Sequence, residues 1–133
     1  MLQTAVVGVG FIGAEHIEAI RRTNLATVAA IVGRSPEQTE QKAKALGIPA
    51  FYTDYDAVLQ DPSIQVIHIC TPNHLHYAMA RKALFGRRTA PRRSARCAMY
   101  LRTEGFVLSI VPEEVTNAIM PPGRTLSKVL AMK

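Results

Sequence analysis

The chain has 133 residues, of which 48% are hydrophobic, and a formal net charge of +6. That length allows one domain or part of one, and the apolar content suffices for a buried core. No run approaches the roughly 20 apolar residues that cross a bilayer, no basic stretch leads into an apolar one as in a signal peptide, and two cysteines, Cys70 and Cys97, are too few for a disulfide scaffold.

These exclusions imply a cytoplasmic protein with reduced thiols. The charge is unevenly spread. Residues 1–85 hold seven Lys/Arg and seven Asp/Glu, whereas residues 86–133 hold nine Lys/Arg and three Glu. Six arginines and no acid lie between Gly86 and Arg102.

The first strand is expected over Gln3–Gly8 and ends in Gly8-Val9-Gly10-Phe11-Ile12-Gly13. A strand that runs through G-x-G-x-x-G into a helix is a dinucleotide-binding fingerprint. Gly8 allows a tight turn, Gly10 lets the backbone approach a pyrophosphate, and Gly13 lets the helix lie close to the strand. The following helix, about Phe11–Arg22, aims free N–H groups and the positive end of its dipole at the phosphates. Gly8, Gly10, Phe11, Ile12 and Gly13 are therefore candidate cofactor-binding residues.

The second strand is expected over Ala26–Val32. The acidic residue that binds the adenosine ribose of NAD normally stands about twenty positions after the glycines. Here that position is Gly33, followed by Arg34 and Ser35, which both donate hydrogen bonds to a phosphate. This favours NADP, with NAD as the alternative. Ser35 also reads as an N-cap and Pro36 as the first residue of a helix that stops at Leu46-Gly47. A short strand at Phe51-Tyr52 and a short helix from Asp54 to Gln60 follow. Val66–Cys70 reads as a strand buried on both faces, and Thr71-Pro72 opens a helix reaching about Phe85.

Strand–helix alternation of this kind predicts a Rossmann-type doubly wound parallel sheet, α/β in class. The turns at Gly8–Gly13, Gly33–Ser35 and Thr71–Asn73 then surround one crevice at the carboxyl ends of the strands.

Beyond Gly86 the pattern decays. Phe106–Val111 suits one strand, Pro121-Pro122-Gly123 a turn or linker, and Thr125–Met132 a short helix. The chain therefore divides into a partial Rossmann domain, 1–85, and an irregular basic tail, 86–133. Arginine-rich residues 86–96 are poor strand formers, so the strand Val66–Cys70 is expected to keep a bare edge. The arginine run lacks interleaved aromatics and any nucleic-acid motif, so nucleic acid is not an expected partner.

Residues 1–85 closely resemble the N-terminal domain of the glucose–fructose oxidoreductase / inositol 2-dehydrogenase (Gfo/Idh/MocA) family. Four stretches carry the resemblance: Val7–Gly13 with His16, Arg34-Ser35-Pro36-Glu37, Tyr52–Tyr55 with Asp61-Pro62, and Ile69-Cys70-Thr71-Pro72-Asn73-His74-Leu75-His76. It implies that Thr71, Pro72 and Asn73 line the cofactor near its ribose and nicotinamide end, with His76 close behind. It further implies an oxidoreductase acting on the alcohol or carbonyl of a sugar or polyol. His16 reads as a packing residue and Cys70 as a small core residue. His74 and His76 lie two apart on a helix, face different ways and have no third partner, so no metal site is expected.

In the family, a lysine of a Glu-Lys-Pro motif handles the proton that accompanies hydride transfer, together with a separate substrate domain. No Glu-Lys-Pro occurs in this sequence. Phe85-Gly86-Arg87-Arg88-Thr89-Ala90-Pro91-Arg92 stands where it belongs, and no catalytic residue is assigned. The expected protein is a truncated cofactor half, inactive alone; the alternative is a nucleotide-binding module without catalysis. The abrupt seam near residue 85 suggests a shifted reading frame, against which stands a genuine divergent tail.

Overall fold

The computed structural model describes residues 1–85, 97–101 and 108–112. In chain order these form β1 (Leu2–Val7), α1 (Phe11–Thr23), β2 (Ala26–Val32), α2 (Pro36–Ala45), β3 (Ala50–Tyr52), α3 (Tyr55–Gln60), β4 (Val66–Ile69), α4 (Asn73–Phe85), β5 (Cys97–Leu101) and β6 (Leu108–Pro112). The expected turn at Pro121–Gly123 and helix at Thr125–Met132 lie outside the described residues, as does the arginine run 86–96.

The described strands form one sheet in the order β3-β2-β1-β4-β6-β5. β1 pairs in parallel with both β2 and β4, and β2 with β3. This is the parallel α/β Rossmann architecture that the alternating pattern predicts. Alternate side chains of each strand serve opposite faces of the sheet. Ala5, Val7, Ile67 and Ile69 meet Val58, Leu59, Ala80 and Ala83 beneath α3 and α4. Val6, Val28 and Ile31 meet Ile17, Ile20 and Ala43 beneath α1 and α2.

Val28 and Ile31 share a face although three residues apart, because the β1–β2 register slips. Thr4 pairs with Val28 but Ala5 with Ala30, so Ala29 is an extra residue in β2. Beside this irregularity the buried Thr4 hydroxyl donates to the Thr27 carbonyl at 3.0 Å, which keeps a polar group inside the sheet satisfied.

Local chemistry explains the helix boundaries. Ser35 Oγ accepts from the Gln38 N–H as the N-cap of α2, with Pro36 at the first position. Asp54 caps α3 through the Asp56 N–H at 2.9 Å. α1 ends at Asn24, whose φ of 55° is the left-handed turn that stops a helix.

The bare edge expected at β4 is not found. β6 pairs with it antiparallel, matching Ile67 to Ile110, His68 to Ser109 and Ile69 to Leu108, and β5 pairs antiparallel with β6. The expectation considered only residues 86–96 as a cover. The apolar segment that suits a strand lies further along, and its backbone satisfies the β4 edge from the opposite direction. α4 begins at Asn73, two residues after Thr71, and the residue before a proline is disfavoured in a helix.

Candidate functional site

Strand order reverses between β1 and β4, because the chain steps from β1 to β2 and β3 on one side and to β4 on the other. A crevice opens there between the turns that leave the carboxyl ends of the strands. Its volume is about 1160 Å3. Gly8–Ile12, Gly33–Ser35 and Cys70–Leu75 all line it, so the three segments singled out in the sequence meet in one place.

Gly8 is the junction. Its φ is +94°, and a Cβ there would come within 2.7 Å of the Cys70 carbonyl oxygen. Its N–H donates to the Val32 carbonyl at 2.9 Å, while the Cys70 N–H donates to the Val7 carbonyl at 2.7 Å. Val7 and Gly8 together thus tie the end of β1 to those of β2 and β4, and only glycine fits the backbone and the gap at position 8. Gly13 is buried away from the crevice, and a Cβ on it would overlap the Gly8 carbonyl. Gly10 differs from both: a Cβ there would meet no protein atom within 4 Å. Packing does not require that glycine, and its absent side chain leaves the floor of the crevice open.

Gly10 is also the N-cap of α1 and supplies no side-chain cap, and the first turn of α1 contains no acidic residue. The leading N–H groups of the helix have no intrahelical acceptor. With the helix dipole they make a site for an anion at the crevice floor. Phe11 and Ile12 stand at the rim, 77% and 46% exposed.

On the β2 side, Arg34 is exposed and Ser35 half-buried. Arg34 has no carboxylate within ion-pair distance among the described residues. The Ser35 hydroxyl is engaged twice, accepting from the Gln38 N–H at 3.4 Å and donating to Glu37 Oε2 at 3.1 Å. A Cβ on Gly33 would run into the side chain of Thr39, whose hydroxyl donates to the Ser35 carbonyl at 2.6 Å. Thr39 therefore fills the space that an acidic side chain at position 33 would need. No Asp or Glu lines the crevice among the described residues.

On the β4 side, Thr71, Pro72 and Asn73 line the crevice and His76 does not. His76 instead brings Nε2 to 2.6 Å from the Thr71 carbonyl oxygen, bracing the loop from behind. The Thr71 hydroxyl points toward Met79 Sδ at 3.4 Å. Cys70 is a free thiol partly enclosed by apolar residues. Burial pushes its pKa up to about 12, so it stays protonated and packs rather than reacts. His16 faces His68 on β4 with ring centroids 6.1 Å apart. No His/Cys/Asp/Glu cluster suited to a metal occurs among the described residues.

The sequence reading missed Gln38, Thr39 and Lys42, which line the crevice from α2. Their signal is helical spacing: residues three to four and seven positions after Ser35 fall on one helix face. Lys42 Nζ reaches back to the Val9 carbonyl at 2.5 Å.

Residues 2–86 match the model of the GFO_IDH_MocA family, described as an oxidoreductase family with an NAD-binding Rossmann fold. The chain belongs to this family. Among Gfo/Idh/MocA relatives, D-xylose 1-dehydrogenase (NADP(+)) 2 of Haloferax volcanii is 32% identical over 78 residues, covering 59% of this chain and 24% of the relative. Inositol 2-dehydrogenase/D-chiro-inositol 3-dehydrogenase of Lactiplantibacillus plantarum is 31% identical over 85 residues, 62% of this chain and 24% of the relative. An NAD-binding oxidoreductase from Klebsiella pneumoniae, solved by crystallography, superposes with a TM-score of 0.59 at 32% identity, over 62% of this chain and 24% of that one. The Gfo/Idh/MocA match thus spans about a quarter of the length of these relatives.

Proposed function

We propose that residues 1–85 form the cofactor-binding part of a nicotinamide-dependent oxidoreductase that acts on the alcohol or carbonyl of a sugar or polyol, and that NADP is the preferred cofactor. The crevice at the reversal of strand order supports the reading. Its glycine floor and the free N–H groups of α1 suit a pyrophosphate, and the loop Thr71–Asn73 lies along the opposite wall. The bound dinucleotide would accept or donate a hydride; the chain's own residues bind and orient it. Gly8, Gly10, Phe11 and Ile12 serve the phosphates, and Gly13 sets the helix against the turn. Thr71, Pro72 and Asn73 serve the nicotinamide end, and His76 acts through the loop it braces.

The preference for NADP rests on one observation. The position of the ribose-binding acid is Gly33, kept clear of a side chain by Thr39, and the next residue is an exposed arginine without an anionic partner among the described residues. A guanidinium there pairs with a phosphate on the adenosine ribose. Ser35 contributes only if its hydroxyl turns away from Glu37. Titration of the chain with NADPH and NADH, followed by nucleotide fluorescence, tests the reading. Tighter binding of NADPH is expected, together with a loss of about tenfold or more on Arg34→Ala, the worth of one charge-assisted hydrogen bond. Tighter NADH binding, or unchanged NADPH binding by Arg34→Ala, would remove the case for NADP.

The sequence supports a second reading, a nucleotide-binding module without catalysis. No Glu-Lys-Pro occurs in the chain, so nothing in it is assigned the proton transfer that must accompany hydride movement. A companion chain that supplied that group would separate the two readings.

A further inference from the structure

The basic residues of α2 divide by what they touch. Lys44 pairs with Glu40 one turn away at 2.7 Å, the ordinary use of a lysine on a helix surface. Lys42 has no carboxylate within ion-pair distance among the described residues. It crosses from α2 to the glycine turn, where Nζ donates to the Val9 carbonyl at 2.5 Å. It lines the crevice together with Arg34, and no acidic residue shares that lining among the described residues.

An ammonium group has three N–H donors. The Val9 carbonyl takes one, which leaves two for an anion in the crevice. The anchoring carbonyl belongs to the residue between the first two glycines, and Lys42 itself stands on the helix that follows Arg34 and Ser35. The ammonium therefore joins the β1–α1 turn to the helix that follows the β2–α2 segment. A pyrophosphate at the α1 N-terminus already meets backbone donors. A phosphate monoester on the adenosine ribose, close to a dianion at neutral pH, exceeds what the single charge of Arg34 balances.

We propose that Lys42 is a second cation for the 2′-phosphate of the cofactor, held over the crevice by the Val9 carbonyl and acting with Arg34 to set the preference for NADP over NAD. The assignment rests on the crevice being a dinucleotide site. Lys42 keeps its bond to Val9 and turns its remaining donors to the phosphate, so the turn and the phosphate are joined through one side chain.

The test uses the full chain with Lys42→Met and Lys42→Arg, and four ligands: NADPH, NADH, adenosine 2′,5′-bisphosphate and AMP. Lys42 is exposed, so both variants are expected to melt with the wild type. Lys42→Met should weaken NADPH and the bisphosphate about tenfold or more, the scale of a hydrogen bond to a charged group, and leave NADH and AMP within about twofold. Lys42→Arg should retain most of the discrimination. Equal weakening of NADPH and NADH by Lys42→Met would overturn the assignment, because the ammonium would then serve the pyrophosphate or the shape of the turn. Unchanged binding of all four ligands would also overturn it and leave Lys42 as a tether. If the wild type binds neither dinucleotide, it is the cofactor reading that fails.

Discussion

In residues 1–85, charges balance, apolar residues keep helix and strand periods, and every strand up to β4 leads into a helix lying on the sheet. The strands contributed from beyond residue 96 enter the same sheet antiparallel, β6 against β4 and β5 against β6. The family match ends at residue 86, the point where the charge balance also breaks. Consistency between local pattern and global fold is what a sequence selected for one structure displays. Its loss at a single position coincides with the end of the family match.

A change of reading frame near residue 85 is the proposal that would account for that seam, and the gene sequence can break or sharpen it outright. Moving the codons for Gly86 to Arg96 by one nucleotide permits Ala-Gly-x-x-His-Leu-Val-Glu-x-Pro, near the stretch that the family resemblance leads one to expect, but that frame does not place Lys between the Glu and the Pro. The expected outcome is a shifted frame that continues the family pattern. A gene in which no frame does so makes the tail a genuine divergence.

The next largest effect concerns chemistry. If the first region supplies cofactor binding and the second supplies no proton-transfer group, the 133-residue chain should reduce cofactor negligibly with any polyol or sugar. General acid–base groups contribute about 10²–10⁴-fold in rate. Cofactor reduction proportional to protein concentration would show that the tail carries catalytic function, and the contrast between the regions would lose its meaning.

Within the first region, Gly13 should be among the least replaceable residues. Gly13→Val puts a branched side chain where even a Cβ overlaps the Gly8 carbonyl. Either α1 or the glycine turn must move. Overpacking of this kind costs about 1–3 kcal/mol or more, and the displaced turn should abolish nucleotide binding. Thermal melting and NADPH titration check both. Gly10→Ala meets no protein atom within 4 Å, so it should melt with the wild type and lose binding only. A Gly10→Ala variant that binds normally would show that no ligand approaches that backbone.

The contrast between regions also explains what was legible. β2 lies where alternation and apolar content place it, and Ser35 caps α2 as the Ser-Pro-Glu run announces. Such features are local, decided within a turn or a strand. The glycine turn was legible for the same reason. Lys42 was not, because its partner Val9 lies 33 residues away and only the packing of α2 beside the turn unites them. The bracing role of His76 was hidden likewise, since helical spacing cannot tell whether a ring faces the crevice or the loop behind it. β5 escaped because Cys97–Leu101 stands in a basic stretch without periodic neighbours, and its pairing with β6 is decided between segments. The closure of the β4 edge was missed because the expected cover was a parallel strand directly after α4, whereas an antiparallel partner can come from further along the chain.

The smallest effect tests how firmly the two regions are joined. His68 lies on β4 with Ser109 of β6 as its backbone partner on one side and Val6 of β1 on the other. Burial holds its pKa down at about 4, and the nearby His16 ring adds to the shift. Burial also lowers the pKa of His16. In the unfolded chain the His68 imidazole titrates near its ordinary value of about 6.5. The unfolded state therefore binds the proton more readily, so stability is complete above about pH 6.5 and falls as pH drops toward 4. At pH 5 the loss from His68 is about 1–2 kcal/mol. Urea unfolding at pH 7 and pH 5 should show that loss in the wild type and a smaller one in His68→Leu, where only the milder His16 effect remains. If the wild type is equally stable at both pH values, water reaches His68 freely. β6 would then not cover β4 tightly, and the tail would be joined to the sheet in name only.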